Sequence, residues 1–244
     1  MHKLIVRIAV TAGIAMLAGT AVALAGPNTQ QRIILKVSPS EAGTAKKPKS
    51  VSLTFETGTS EPDGTQPPTM TQAVIYFPRG LKFNAKKFPS CDMETLEFEG
   101  KAKCPLKSRV GSGSATAVAG TIVAEPTVTP FNGPGGNKLL LLVEMQSPIV
   151  INAPMEATLT KVTGKYSYKL TLPIPAFIQE PGPGILAAIT RFTVKAGSTI
   201  TRDGRKYGYI ETVSCPASHE WKIKGVFTAR DGQQLISEST ARCT

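Results

Sequence analysis

The chain has 244 residues, with 28 Lys and Arg against 17 Asp and Glu for a net charge of +11, and only two histidines and four cysteines. The positive charge is scattered in small groups with no nucleic-acid module beside it, so DNA and RNA rank low as partners. After the N-terminal run, no apolar stretch approaches the ~20 residues of a membrane-spanning helix.

In chain order, Lys3 and Arg7 open a short positive start, and Ile8 to Ala25 carries no charge. Ala23-Leu24-Ala25 then offers the small-x-small pattern that a signal peptidase cuts, directly before Gly26-Pro27. The competing reading is a retained anchor, since 18 uncharged residues are just long enough to span. The run is mostly Ala, Gly and Thr with no positive cluster after it, so cleavage of residues 1–25 is expected. No cysteine sits at the cut, which argues against a lipid anchor there. Cleavage leaves 219 of the 244 residues, with 26 Lys and Arg against 17 Asp and Glu, a net +9. Such a length buries about 70–75% of the surface its unfolded chain exposes. It suits one β-sandwich domain over 26–244; two Ig-like halves, about 27–128 and 129–244, are the alternative.

Residues 32–38 (RIILKVS), 50–56 (SVSLTFE) and 72–77 (QAVIYF) are short runs rich in β-branched and aromatic residues. In the second, Val51, Leu53 and Phe55 alternate with polar neighbours, the pattern of a half-buried strand. A polar loop at 58–68 carries Pro, Gly and Asp for turn geometry. Residues 88–113 follow, with Cys91 and Cys104 bracketing a candidate helix. Ser90 or Asp92 can cap it, Glu94 and Glu97 lie early where the dipole favours acid, and Gly100 suits the position past its end. The alternation at 96–99 is the competing strand reading. Residues 110–119 (VGSGSATAVA) read as a strand whose glycines imply a bulge or close backbone approach.

Residues 121–129 and 138–145 flank the turn cluster FNGPGGN and read as a hairpin. Further strands are expected at 155–162, 166–172, 189–196 and 207–215. A proline-rich loop at 173–184 presents two exposed apolar residues, Phe177 and Ile178, as a candidate binding loop. In the last hairpin, a three-residue loop with Gly232 left-handed pairs Phe227 with Leu235 and Trp221 with Ala241, keeping one face apolar. About twelve short strands and no helix of ordinary length predict an all-β, antiparallel β-sandwich, jelly-roll or Ig-like, with one short disulfide-bracketed helix.

An even number of cysteines in an exported chain implies disulfides, and four allow three connectivities. The local pairs Cys91–Cys104 and Cys215–Cys243 are expected. No C-x2-C or H-x3-H spacing supports zinc. After cleavage one histidine is left, His219, which reads as a surface or satisfied residue of the last hairpin, not as part of a nucleophile system. No G-x-S-x-G, H-E-x-x-H or P-loop occurs, so no catalytic residue, metal site or cofactor is assigned. The acidic group Asp92, Glu94, Glu97 and Glu99 reads as the solvated face of a capped helix. Asp63-Gly64, Asp203-Gly204 and Asp231-Gly232 are bare turn dipeptides without further calcium ligands. Tyr166/Tyr168 and Tyr207/Tyr209, two apart, are expected to share strand faces, as sheet packing or, less favoured, a sugar platform.

The string FPSC…C-P-x-x-S-x-V-G-x-G, preceded by F-P-R-G-L-K-F-N, resembles secreted actinobacterial proteins of unknown function. The ending S-C-P…W…F-T-x-x-D-G…C is similar to the end of the same group. The resemblance implies a single exported β-rich unit with the local disulfide pairs, and no activity. The expected function is an exported, non-catalytic envelope or extracellular protein, binding or structural, with an anionic wall polymer or glycan as partner. Two alternatives are a glycan-active hydrolase using paired carboxylates and a lipid or small-molecule carrier, which needs an apolar cavity between sheets.

Overall fold

The computed structural model describes residues 28–147 and 150–244; the expected signal peptide lies outside them. Its strands are β1 (Gln30–Ser38), β2 (Lys49–Ser60), β3 (Met70–Pro78), β4 (Leu81–Phe83), β5 (Gly111–Ala119), β6 (Ile122–Ala124), β7 (Thr127–Asn132) and β8 (Lys138–Met145). They continue with β9 (Ile151–Lys161), β10 (Tyr166–Pro173), β11 (Ala188–Ala196), β12 (Thr199–Arg202), β13 (Arg205–Gly208), β14 (Ile210–Thr212), β15 (Glu220–Ala229) and β16 (Gln234–Arg242). One four-residue helix, α1 (Ala176–Gln179), stands between β10 and β11.

The fold is all-β and sandwich-like, and its main sheet has fourteen strands drawn from the whole described chain. Eleven of them follow one another as β1-β2-β11-β5-β7-β8-β9-β10-β3-β15-β16, each antiparallel to the next. Directions therefore alternate, and an odd number leaves the two outer strands, β1 and β16, parallel. These lie side by side. Their continuations are joined by parallel-type bonds, Thr244 N–H to the Ser40 carbonyl at 3.2 Å and Ala42 N–H to the Thr244 carbonyl at 2.7 Å. The sheet thus folds round on itself until its margins meet, covering edges that would otherwise invite pairing with another chain.

The alternation in β2 buries Val51 and Leu53 as expected. The last hairpin has the expected register, with Phe227 opposite Leu235 and Trp221 opposite Ala241, and Gly232 is left-handed at φ 88°. Trp221 is fully buried and its indole N–H donates to the Ser214 carbonyl at 3.2 Å, next to the Cys215–Cys243 disulfide. Both expected disulfides are present. The bracketed excursion holds the expected helical turn, Thr95–Glu99. The Asp92 carboxylate accepts the Thr95 N–H at 2.7 Å, and Gly100, at φ 84°, ends the turn. Leu96 is buried with both cysteines, Phe131, Leu140 and Leu142 in a separate small core. The glycines of β5 meet a close approach: a Cβ on Gly113 would lie 2.1 Å from the Thr193 carbonyl oxygen.

Three expectations are corrected. The strand at 121–129 is broken into β6 and β7, because Pro126 has no N–H for a ladder and its carbonyl accepts the Ala115 N–H at 2.9 Å. The run at 207–215 is not one strand. Asp203 and Gly204, both at positive φ, turn β12 back on β13, the geometry that matches strand twist in two-residue hairpins. β14 then joins β2 and β4 separately. His219 lies outside β15, exposed in a turn at φ 54°.

Candidate functional site

The wrapped sheet has two ends. At the disulfide end stand residues 79–91 and 104–110, the β12–β14 region and the C-terminus, while residues 92–103 run along the outer face of β8 and β9, where Lys101 pairs with Glu144. At the proline end stand the 61–69 loop, the turn at Gly120, residues 174–187 with α1, and the β15–β16 turn.

Inward-facing residues of β2, β3, β8, β9, β10 and β11 enclose a cavity of about 160 Å³. On β2 the successive inward positions Leu53, Phe55, Thr57 and Thr59 all line it. Six residues of strand at ~3.3 Å each make it about 20 Å long, so at this volume it is long and narrow. Its wall is almost wholly apolar, with no carboxylate among the lining residues. Lys138 borders it, but its side chain lies on the outer face of β8, where the ammonium pairs with Glu156 at 2.9 Å. Small residues make the space: Ala73 and Ala196 line it where larger side chains would fill it. An apolar cavity of this size is dry and, at 24 cal/mol per Å³, costs about 4 kcal/mol when empty.

The disulfide end of the cavity is closed by aromatics. Phe77, Phe83 and Tyr168 pack edge to face at 5.2 and 5.1 Å, and Tyr209 stands against Phe88 at 5.3 Å. The buried Tyr209 hydroxyl donates to Asn132 Oδ1 at 3.3 Å, and burial pushes its pKa well above the ordinary tyrosine value. Burial raises Tyr168 likewise. The Asn132 amide nitrogen reaches the carbonyls of Ala85, Phe88 and Pro89 at 3.0–3.3 Å, pinning the start of the disulfide excursion across this end. In the sequence Asn132 is only one member of a turn cluster. No local signal marks it, because every partner is more than forty residues away.

At the proline end, the segment after β10 crosses the sheet's mouth. Ile174 is buried and lines the cavity, and its N–H bonds the Thr71 carbonyl at 2.8 Å. The candidate binding residues separate here. Phe177 is 57% exposed, as expected. Ile178 is half-buried against both main core clusters, because α1 turns neighbouring side chains to opposite sides. The 58–68 loop is shorter than expected, since β2 continues to Ser60. Its Gln66 side chain bonds the Leu186 carbonyl and the Gly120 N–H, both at 2.9 Å, so it braces this end.

The tyrosine pairs do not share faces. A register irregularity between Tyr166 and Tyr168 sends Tyr166 against Tyr76 at 5.4 Å and Tyr168 inward to Phe83. Tyr207 lies between Lys87 and Arg205, at 5.2 and 5.0 Å from its ring centre, whereas Tyr209 is buried. A shallow polar depression beside Arg191 holds one carboxylate, Glu125. Asp63 and Asp231 accept backbone N–H groups two residues on; among the described residues no cluster of His, Cys, Asp and Glu could hold a metal ion.

The fold and site define a disulfide-stapled all-β protein enclosing an elongated apolar cavity. Two disulfides mark an oxidising, extracytoplasmic environment. Among the described residues no helix is long and apolar enough to cross a membrane. No family model, curated protein or solved structure matches the chain.

Proposed function

We propose that this is an exported, non-catalytic binding protein of the cell envelope whose cargo is an apolar chain housed inside the sheet. The cavity carries the reading: about 160 Å³, apolar and drawn out along the strands. An occupant would offset the cost of leaving it empty. Its length and narrowness suit a single alkyl or acyl chain better than a fused-ring molecule. Neither concavity described above places two carboxylates opposite each other, so paired-carboxylate hydrolysis draws no support from them.

Incubation with decanoic acid and with 1-decanol, followed by native mass spectrometry and thermal unfolding, tests this. One bound molecule per chain and a melting temperature that rises with ligand concentration are expected. No adduct and no shift at saturating ligand would remove the carrier reading.

A second reading rests on a different place. Lys87 and Arg205 flank the Tyr207 ring at the disulfide end, with Lys86 and Lys206 beside them in sequence. This basic group favours an anionic wall polymer or glycan as partner. Retention on isolated cell wall at low salt, lost in Lys87→Ala/Arg205→Ala, is the expected result; equal retention of that variant would discard it.

A further inference from the structure

The cavity wall changes character along its length. On β2 the inward series runs Leu53, Phe55, Thr57, Thr59, so it passes from apolar to hydroxyl-bearing toward the proline end. Thr59 is 5% exposed. The other polar residues that border the cavity are engaged elsewhere. Lys138 holds its ammonium on the outer face, and the Tyr209 hydroxyl is spent on Asn132. Asn137 is exposed in the β7–β8 turn, where a Cβ on Gly135 would lie 3.1 Å from its side-chain oxygen. Thr57 and Thr59 therefore form the polar pole of an otherwise apolar space.

The bonds these two hydroxyls already make fix what they can still offer. Thr57 donates its proton to the Arg32 carbonyl at 2.9 Å and accepts the Gln31 amide N–H at 2.6 Å. Thr59 donates to Gln31 Oε1 at 2.7 Å. The amide's orientation is set as well, because its nitrogen lies 3.4 Å from the Arg32 carbonyl, which can only accept. A hydroxyl has one proton and two lone pairs. Both protons are committed, whereas lone pairs on both oxygens have no partner among the described residues. The pole thus offers acceptors and no donor. One unspent donor stands at this end, the buried Thr69 hydroxyl, but Thr69 is not part of the wall.

Resting on the carrier reading, we infer that the cargo is a chain with a neutral, hydrogen-bond-donating head, an alcohol first of all, held with the head at Thr57 and Thr59 and the tail running toward Phe77 and Phe83. An alcohol O–H gives the pole the proton it lacks. A carboxylate brings only acceptors and a charge, and a buried charge without a partner costs far more than a buried hydroxyl. A carboxylic acid enters as the neutral acid, which at pH 7.5 is on the order of one part in a thousand of the total for an ordinary carboxyl pKa near 4.3. The site thereby sorts chains of one length by the head they carry.

1-Decanol, its methyl ether and decanoate share one ten-carbon tail, and each is titrated at pH 7.5 with binding read by native mass spectrometry and thermal shift. 1-Decanol should bind about tenfold more tightly than the ether, the worth of one hydrogen bond, and at least about tenfold more tightly than decanoate. Thr57→Val/Thr59→Val keeps the shape and removes both oxygens. It should take the ether as wild type does and lose the preference for the alcohol, while Thr57→Ser/Thr59→Ser should keep that preference. Asn137→Ala, at the far end, should keep it too. Wild-type protein that binds the ether or decanoate as tightly as the alcohol overturns the head selection and leaves the carrier standing. An unchanged preference in the valine variant, or its loss in Asn137→Ala, overturns it as well. The wild-type comparison decides by itself should the valine variant not fold. No uptake of any of the three probes removes the carrier reading and this inference with it.

Discussion

Ala73→Leu tests the cavity most directly. Ala73 lies on β3 between Leu172 and Phe227 and its side chain lines the space. Leucine adds three carbons, worth about 0.8 kcal/mol each when buried. In a packed core such an addition costs 1–3 kcal/mol of strain; here about 160 Å³ stands open to receive it. The expected result is a gain of up to about 2 kcal/mol, seen as a higher urea midpoint at unchanged slope and a melting temperature up by ~4–8 °C. The same three carbons added at Ala153, which is 1% exposed and outside the cavity wall, should instead cost ~1–3 kcal/mol. Ala73→Leu should also weaken uptake of decanoic acid, because the guest and the new side chain compete for one volume. If Ala73→Leu destabilises as much as Ala153→Leu, the space does not exist in solution and the argument built on it fails.

Replacing Cys91 and Cys104 by serine should cost about 3 kcal/mol, and replacing Cys215 and Cys243 about 3.5, from loop separations of 13 and 28 residues; denaturant titration measures both. Asn132→Ala removes the two amide hydrogens shared among three carbonyls and strands the Tyr209 hydroxyl, so a loss of about 2–3 kcal/mol is expected, whereas retention of wild-type stability would contradict the pinning role. Gly113→Val drives a side chain into the Thr193 carbonyl and should destabilise by more than about 2 kcal/mol. Tyr209 has a raised pKa when folded, so its contribution is fully present below the unfolded value near 10 and is lost as pH rises beyond it. Stability should fall by up to ~1.4 kcal/mol per pH unit there, and Tyr209→Phe should flatten the decline.

Much of the fold was legible locally because its determinants are local. Alternation placed β2, runs of β-branched and aromatic residues placed β1 and β3, and Gly232 and the FNGPGGN cluster marked turns. The demand for one apolar face chose between two registers of the last hairpin. The failures were at places where a neighbour decides. Pro126 breaks a strand only because a partner there would need its N–H. The irregularity at Tyr166–Tyr168 turns two residues of one apparent face to opposite sides. Phe177 and Ile178 look alike in sequence, and only the cores behind α1 make one a surface residue and the other a half-buried packing residue.

The sequence by itself determined the chemistry available: an all-β chain with two local disulfides, a basic surface, and residues whose inward set is apolar. Those follow from side-chain type and spacing, which act over a few residues. Only the tertiary structure decided that the sheet closes on itself, since the parallel meeting of β1 and β16 depends on how many strands lie between them. It alone decided that the inward side chains fall short of filling the interior. A cavity is a difference between enclosed volume and the volume of many distant side chains, and no stretch of sequence carries that difference.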